Sequence, residues 1–205
     1  ADSHLNDNFV DPDLDVQTWV ERFEGESREV FSERRAVLKA TGVKAGDRVA
    51  DIGAGTGLYT RLFAEAVGAK GWVHAVDIST AFLQHINRTN AELGLGNVTA
   101  VLGQFDSITL PPDSVDLAFV CDTYHHLEAV EPVLASIHQA LVTGGHLVVI
   151  EFERIPGKSR QWILDHMRAD KDVFRAEIEA AGFEFVEEVK IPGFVENYFL
   201  KFAKK

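Results

Sequence analysis

The sequence predicts an α/β protein: a three-layer, doubly wound sheet, mostly parallel, with a C-terminal antiparallel hairpin and extra helices at the N-terminus. Three observations lead there. Between residues 48 and 152, short apolar strands alternate with helical segments, a pattern that calls for right-handed crossovers between parallel strands. Some strands are continuous apolar runs, such as Leu147-Val148-Val149-Ile150, the kind covered on both faces. Near the C-terminus two strand-like segments meet at Pro192-Gly193, a hairpin signature.

Ala1 to Asp15 is polar and acidic and reads as an extended arm. From Val16 the apolar residues Trp19, Val20, Phe23, Val30, Phe31 and Leu38 follow helical spacing. Gly25 interrupts them, so two helices or one bent helix are expected, ending near Gly42. Arg48 to Ile52 is the first strand, and a helix follows the loop Gly53 to Gly57 and runs through Val67. Trp72 to Ile78 is the second strand. Ser79 is placed to cap a helix reaching Leu93, closed by Gly94. Val98 to Leu102 is the third strand and Val115 to Cys121 the fourth. A helix from Val130 to Val142 leads through Gly144-Gly145 into a fifth strand, His146 to Phe152. Helices are expected at Lys158 to Asp170 and Val173 to Ala181. The hairpin strands are Phe183 to Ile191 and Phe194 to Phe202, with Phe183, Phe185, Val189 and Ile191 on one face.

The 205 residues suit one domain with one sizeable core. Against 20 Lys and Arg stand 32 Asp and Glu, a net charge of -12 that disfavours nucleic acid and anionic membrane surfaces as partners. Cys121 is the single cysteine, which excludes an internal disulfide and a cysteine-rich zinc site. No segment carries an apolar run long enough for a membrane span, and no leader peptide is visible. A cytoplasmic location is the expectation, with export after leader removal the alternative.

The chemistry concentrates in Val49-Ala50-Asp51-Ile52-Gly53-Ala54-Gly55-Thr56-Gly57, between a strand and a helix. Glycines there allow a tight turn and a close approach of ligand to backbone, and the helix beyond presents free N–H groups. Asp77, at the end of the next strand, is placed to accept from ribose hydroxyls. The dinucleotide fingerprint G-x-G-x-x-G fails, because Leu58 stands at its third glycine.

The alternating glycines preceded by Asp51 resemble the nucleoside-binding loop of the class I S-adenosylmethionine-dependent methyltransferases. Gly103-Gln104-Phe105-Asp106, Ser114 to Val120, Tyr124-His125-His126-Leu127 and Leu141 to Leu147 resemble later stretches of that Rossmann-like family in order, from Val49 to Phe202. The resemblance implies S-adenosylmethionine as cofactor. It implies that Asp51 reaches the methionine amino group, that Gly53, Ala54 and Gly55 lie along the methionine portion, and that Asp77 holds the ribose. Ile78 would pack on the adenine, Phe105 would offer it a backbone N–H, and the Cys121 carbonyl would face the methionine ammonium. Gln104 stands where many relatives carry an aspartate toward the adenine amino group; its amide oxygen can also accept.

In this fold the end of strand four borders the methyl donor, which makes His125, Tyr124 and Asp122 the candidate general bases. Arg154, Trp19 and Tyr198 are weaker candidates for acceptor contact. The adjacent side chains of His125 and His126 are expected to diverge, so no metal site is read. Residues 1–42 are taken as an arm and helical lid, and 43–205 as the cofactor-binding domain. No Asn-Pro-Pro-Tyr-type motif follows strand four. The expected acceptor is therefore a small molecule, a thiol or sulfide, a phenolic hydroxyl or an amine, methylated by a monomer or homodimer. Two other readings are a non-catalytic S-adenosylmethionine-binding scaffold and a different nucleotide-using enzyme on the same sheet.

Overall fold

The computed structural model describes residues 6–205. Seven strands, β1 (Arg48–Ile52), β2 (Trp72–Asp77), β3 (Val98–Leu102), β4 (Val115–Cys121), β5 (Leu141–Phe152), β6 (Phe183–Val189) and β7 (Asn197–Lys204), form one sheet in the order β3-β2-β1-β4-β5-β7-β6. The first five are parallel, and β7 runs antiparallel between β5 and β6. The strand order reverses between β1 and β4, so the connections leaving their C-terminal ends go to opposite faces and open a crevice there.

Alternation along each strand divides the core between two faces. Ala50, Ile52, Ala118, Val120, Leu147 and Val149 point to the face covered by α7 (Val130–Ala140) and α9 (Lys171–Ala180), through Leu134, Ile137, Phe174 and Ile178. Val49, Val73, Leu117, Phe119 and Val148 point to the other face, where α5 (Leu58–Val67) supplies Tyr59 and Phe63 and α4 (Arg34–Thr41) supplies Val37. The helix α6 (Thr80–Glu92) completes that layer beside β2 and β3, capped by the Ser79 hydroxyl accepting from the Phe82 N–H.

Where the structure departs from expectation, the causes are local. Of the arm expected over residues 1–15, residues 1–5 lie outside the described residues. The remainder is not simply extended: α1 (Asp7–Val10) makes one helical turn, held because Phe9 packs on Trp19 and the Asn6 amide donates to the His126 carbonyl at 3.0 Å. From Val16 onward the N-terminal segment forms three helices, α2 (Val16–Phe23), α3 (Glu29–Ser32) and α4. Gly25 separates the first two, and Gly42 ends the last, as expected. The helix expected over Lys158 to Asp170 shrinks to α8 (Gln161–His166), because the Asp170 carboxylate caps the next helix through the Val173 N–H at 3.1 Å. Likewise α7 stops at Ala140, since Leu141 already pairs with Val115, and Gly144-Gly145 falls in the bulge before His146 pairs with Leu117. A second bulge, between Phe185 and Glu187, turns β6 over. Phe183 and Phe185 face the α7–α9 layer, while Val189 and Ile191 face the opposite one.

Candidate active site

A cavity of about 650 Å³ lies over the C-terminal ends of β1, β2, β4 and β5. Its volume is that of a small-molecule site. One end is made by consecutive residues at strand termini. Gly53 and Gly55 adopt φ of +69° and +53°, which L side chains resist. A Cβ on Gly53 would lie 2.2 Å from Thr123 Cγ2, and one on Gly55 would enter the slot beneath Phe23 at 3.5 Å. The Asp77 carboxylate holds this loop: Oδ2 accepts from the Gly55 N–H and Oδ1 from the Ser79 N–H, each at 2.8 Å. Burial still raises Asp77 above the ordinary carboxylate range, although those N–H donors oppose it. Asp51 accepts from the Thr60 hydroxyl at 2.6 Å, and burial pushes it up to about 7.

Ala54, Ile78, Gln104, Phe105 and Cys121 also line this end. Gln104 closes a tight turn with Ser107, its N–H donating at 2.8 Å, and leaves the Phe105 ring exposed at the rim. The Cys121 carbonyl accepts from the Thr123 hydroxyl at 3.0 Å, and burial drives the thiol pKa well upward.

The other end gathers residues far apart in the chain. Asp122, at φ +49°, is ion-paired to Arg28 and accepts from the Asn197 amide at 2.9 Å. Burial raises it to about 6 against the pull of Arg28. His125 sits on a single 3-10 turn, Tyr124–His126, with Nδ1 2.8 Å from Oε2 of the fully buried Glu151. Its Nε2 is 3.0 Å from Nε2 of His166 on α8. Burial would lower the His125 pKa, but the Glu151 carboxylate outweighs it and the net shift is upward. His126 is pushed down to about 3 by burial and by its two histidine neighbours.

An aromatic wall joins the two ends. Phe9, Trp19, Phe23 and Phe82 stack with centroids 4.9 to 6.5 Å apart, and Phe9 meets the His126 ring edge-on at 5.5 Å. Glu24, just past α2, accepts from the Thr56 hydroxyl at 2.8 Å and pairs with Arg61 at 2.7 Å, which pins the N-terminal helices to the glycine loop.

Three candidate residues fall outside the cavity. Tyr124 is fully buried in the α7–α9 layer, where its hydroxyl donates to Glu177 at 3.0 Å, because the 3-10 turn sends it opposite to His125. Tyr198 alternates with Asn197 on β7, so it faces that same layer while Asn197 lines the cavity. Arg154 donates to the Leu164 carbonyl at 3.2 Å and braces the loop before α8; Arg160 reaches the cavity instead. Nor do the adjacent histidines diverge: their ring centroids are 4.2 Å apart. Sequence reasoning missed His166 and Arg160 as cavity residues, and with them Glu151 as the partner that orients His125. A fully buried acid in an otherwise apolar strand end, as in Val149-Ile150-Glu151, was the available signal for a buried partner.

The sheet order, with a cavity at the strand ends where that order reverses, is that of a doubly wound nucleotide-binding fold. A methyltransferase-domain family model matches residues 49–145. The ubiquinone/menaquinone biosynthesis C-methyltransferase UbiE of Photorhabdus laumondii is 25% identical over 189 residues, covering 78% of this chain and 75% of that protein. The UbiE of Ectopseudomonas mendocina is 33% identical over 125 residues, covering 60% of this chain and 48% of that protein, so the match spans about half the length of such relatives. A crystal structure of an S-adenosylmethionine-dependent methyltransferase from Aquifex aeolicus shares the fold with a TM-score of 0.80 at 23% identity, covering 92% of this chain and 98% of that one. Over the matched residues the chain resembles the S-adenosylmethionine-dependent methyltransferases, and S-adenosylmethionine is the cofactor that likeness implies. The cavity suits that group. The slot a Cβ on Gly55 would fill admits a ligand against the backbone, and the carboxylates of Asp51 and Asp77 face the space a cationic nucleoside would occupy. Among the described residues no helix is long and apolar enough to cross a membrane.

Proposed function

We propose that this protein methylates a small, flat, apolar acceptor carrying a hydroxyl, bound between the aromatic wall and the histidines. The cofactor supplies an electrophilic methyl group on a sulfonium. Asp51 neutralises the methionine ammonium, Asp77 binds the ribose hydroxyls beside the loop it already braces, Ile78 packs on the adenine, and the backbone at Phe105 and the amide of Gln104 meet the adenine edge. The observation that carries this reading is the two-ended cavity, with carboxylates over a glycine loop at one end and a carboxylate-oriented histidine at the other. Glu151 occupies Nδ1 of His125, which leaves Nε2 as the basic nitrogen turned to the cavity. A proton leaving the acceptor would go to that Nε2, shared with His166.

The acceptor class follows from the wall. Phe9, Trp19, Phe23 and Phe82 present ring faces and edges that favour a planar partner over an aliphatic amine. The relatives named above are C-methyltransferases of quinone biosynthesis, which adds the ring carbon of a phenol to the acceptors worth testing. Arg28 and Asn197, both on Asp122, join the N-terminal helices to β7 across the site. Calorimetric titration with S-adenosylmethionine, S-adenosylhomocysteine and NAD tests the donor half. Micromolar binding of the first two and none of NAD is expected; binding of NAD alone would overturn the reading. A screen of phenols, thiols and amines with the donor present then reads turnover, and donor binding without turnover of any acceptor would favour a scaffold.

A further inference from the structure

We propose that His125, His126 and His166 bind a divalent transition-metal ion, with an open coordination position facing the cavity. One ring nitrogen from each residue forms a set whose members all lie within 4.8 Å of one another. A tetrahedral ion with metal–nitrogen bonds of about 2.0–2.1 Å needs ligand atoms roughly 3.4 Å apart. Nε2 of His125 and Nε2 of His166 stand at 3.0 Å and no member lies beyond 4.8 Å from another, so side-chain rotations bring the set to that spacing.

Three further observations point to an ion. The Glu151 carboxylate spans Nδ1 of His125, with oxygens at 2.9 and 2.8 Å. That is the carboxylate–histidine arrangement that fixes the tautomer of a metal ligand and leaves Nε2 free to coordinate. The second is an orphan: Nδ1 of His126 is buried and has no hydrogen-bond partner. The third is the meeting of two ring nitrogens, Nε2 to Nε2, where a single proton can serve only one of them as donor. All three histidines line the cavity, and three protein ligands with a fourth position open is the composition of catalytic rather than structural zinc sites. Nitrogen ligands alone select zinc, iron, nickel or copper over magnesium and calcium.

What the ion does rests on the methyl-transfer reading; that it binds does not. An acceptor hydroxyl at the open position would be acidified by the ion, its proton leaving to solvent, which supersedes proton transfer to His125. The S–CH₃ bond then breaks as the new bond to the acceptor forms, with both electrons of the broken bond staying on sulfur.

The test uses tag-free full-length chain, stripped with a chelator and titrated with Co²⁺ as a visible-absorbing probe. Expected is one Co²⁺ per chain with d–d absorption bands, displaced by Zn²⁺. His166→Ala and His126→Ala should each remove the bands, and Glu151→Gln should weaken binding by about 10- to 100-fold. S-adenosylhomocysteine titration of His166→Ala shows whether that variant keeps its fold. Should it not, imidazole nitrogen spectra of the unaltered protein answer instead: Zn²⁺ is expected to shift three of its eight histidines. Absence of d–d bands, bands that survive in folded His166→Ala, or Zn²⁺ shifts confined to other histidines would overturn the site. Metal binding without S-adenosylhomocysteine binding would leave the ion standing and remove the donor reading; the converse would do the reverse.

Discussion

The two ends of the cavity are built by opposite means. The glycine-loop end is local: Asp51 to Gly57 is one turn between a strand and its helix, and Asp77 at the next strand end reaches back to the Gly55 N–H. The histidine end is assembled across the chain. His125 leans on Glu151, 26 residues away, and meets His166, 41 residues away, while Asp122 joins Arg28 to Asn197. A local turn carries its instructions in consecutive residues and tolerates variation elsewhere. A cluster gathered from β4, β5, α8, β7 and the N-terminal helices exists only when all of these pack correctly.

If that contrast holds, perturbing the histidine end should cost stability, whereas perturbing the glycine-loop end should cost ligand affinity. The largest effect is expected at His125→Ala. It leaves Glu151 charged, buried and without its ring partner, at a cost of about 3–5 kcal/mol, read as a lowered midpoint in urea unfolding. A midpoint unchanged from the parent would mean that the pair does not hold the site together. Next is Asp77→Ala, which removes the charge-assisted hydrogen bond to Gly55 and the carboxylate proposed to hold the ribose. Donor affinity should fall by about 100-fold in calorimetry, and unchanged affinity would show that the donor lies elsewhere.

The pH dependence should separate the ends more finely. Asp51 holds its proton to about 7 in the folded chain. Its unfolded carboxyl ionises near pH 4, roughly. Between those values the unfolded state carries fewer protons, so this residue makes stability fall as pH rises. Donor affinity should move the other way, because only the ionised Asp51 attracts the methionine ammonium. A rise of up to about tenfold from pH 6 to pH 8 is expected. Asp51→Asn should abolish that rise, and a persistent rise in the variant would assign it to another group. The smallest effect is expected at Gln104→Ala. It deletes one neutral hydrogen bond at an exposed rim and should weaken donor binding by only about two- to tenfold.

The elements most legible in the sequence were those with a clear local signal. The bounds of β1, β3, β4 and α5 agree with the reading from apolar runs and glycines, and the Ser79 cap forms as its position implied. Legibility failed where two local signals competed. Asp170 reads equally as the end of one helix and the cap of the next, and only its bond to the Val173 N–H decides. Alternation in β6 was read through Val186 without seeing the bulge that places it on the exposed side. Tyr124 and His125 were equal candidates in the sequence because both follow β4. The 3-10 turn separates them, sending one into the core and the other into the cavity.

By itself, then, the sequence determined the fold class and the glycine-loop end of the cavity, because each rests on periodicity or on a turn closed within a few residues. Only the tertiary structure decided that Tyr124, Tyr198 and Arg154 leave the cavity, that Phe9 and Trp19 wall it, and that His166 meets the pair at His125 and His126. Those outcomes depend on register, bulges and long-range packing. A one-residue slip or a single bulge reverses which side chain faces the site, and contacts across 26 or 41 residues leave no spacing in the chain to reveal them.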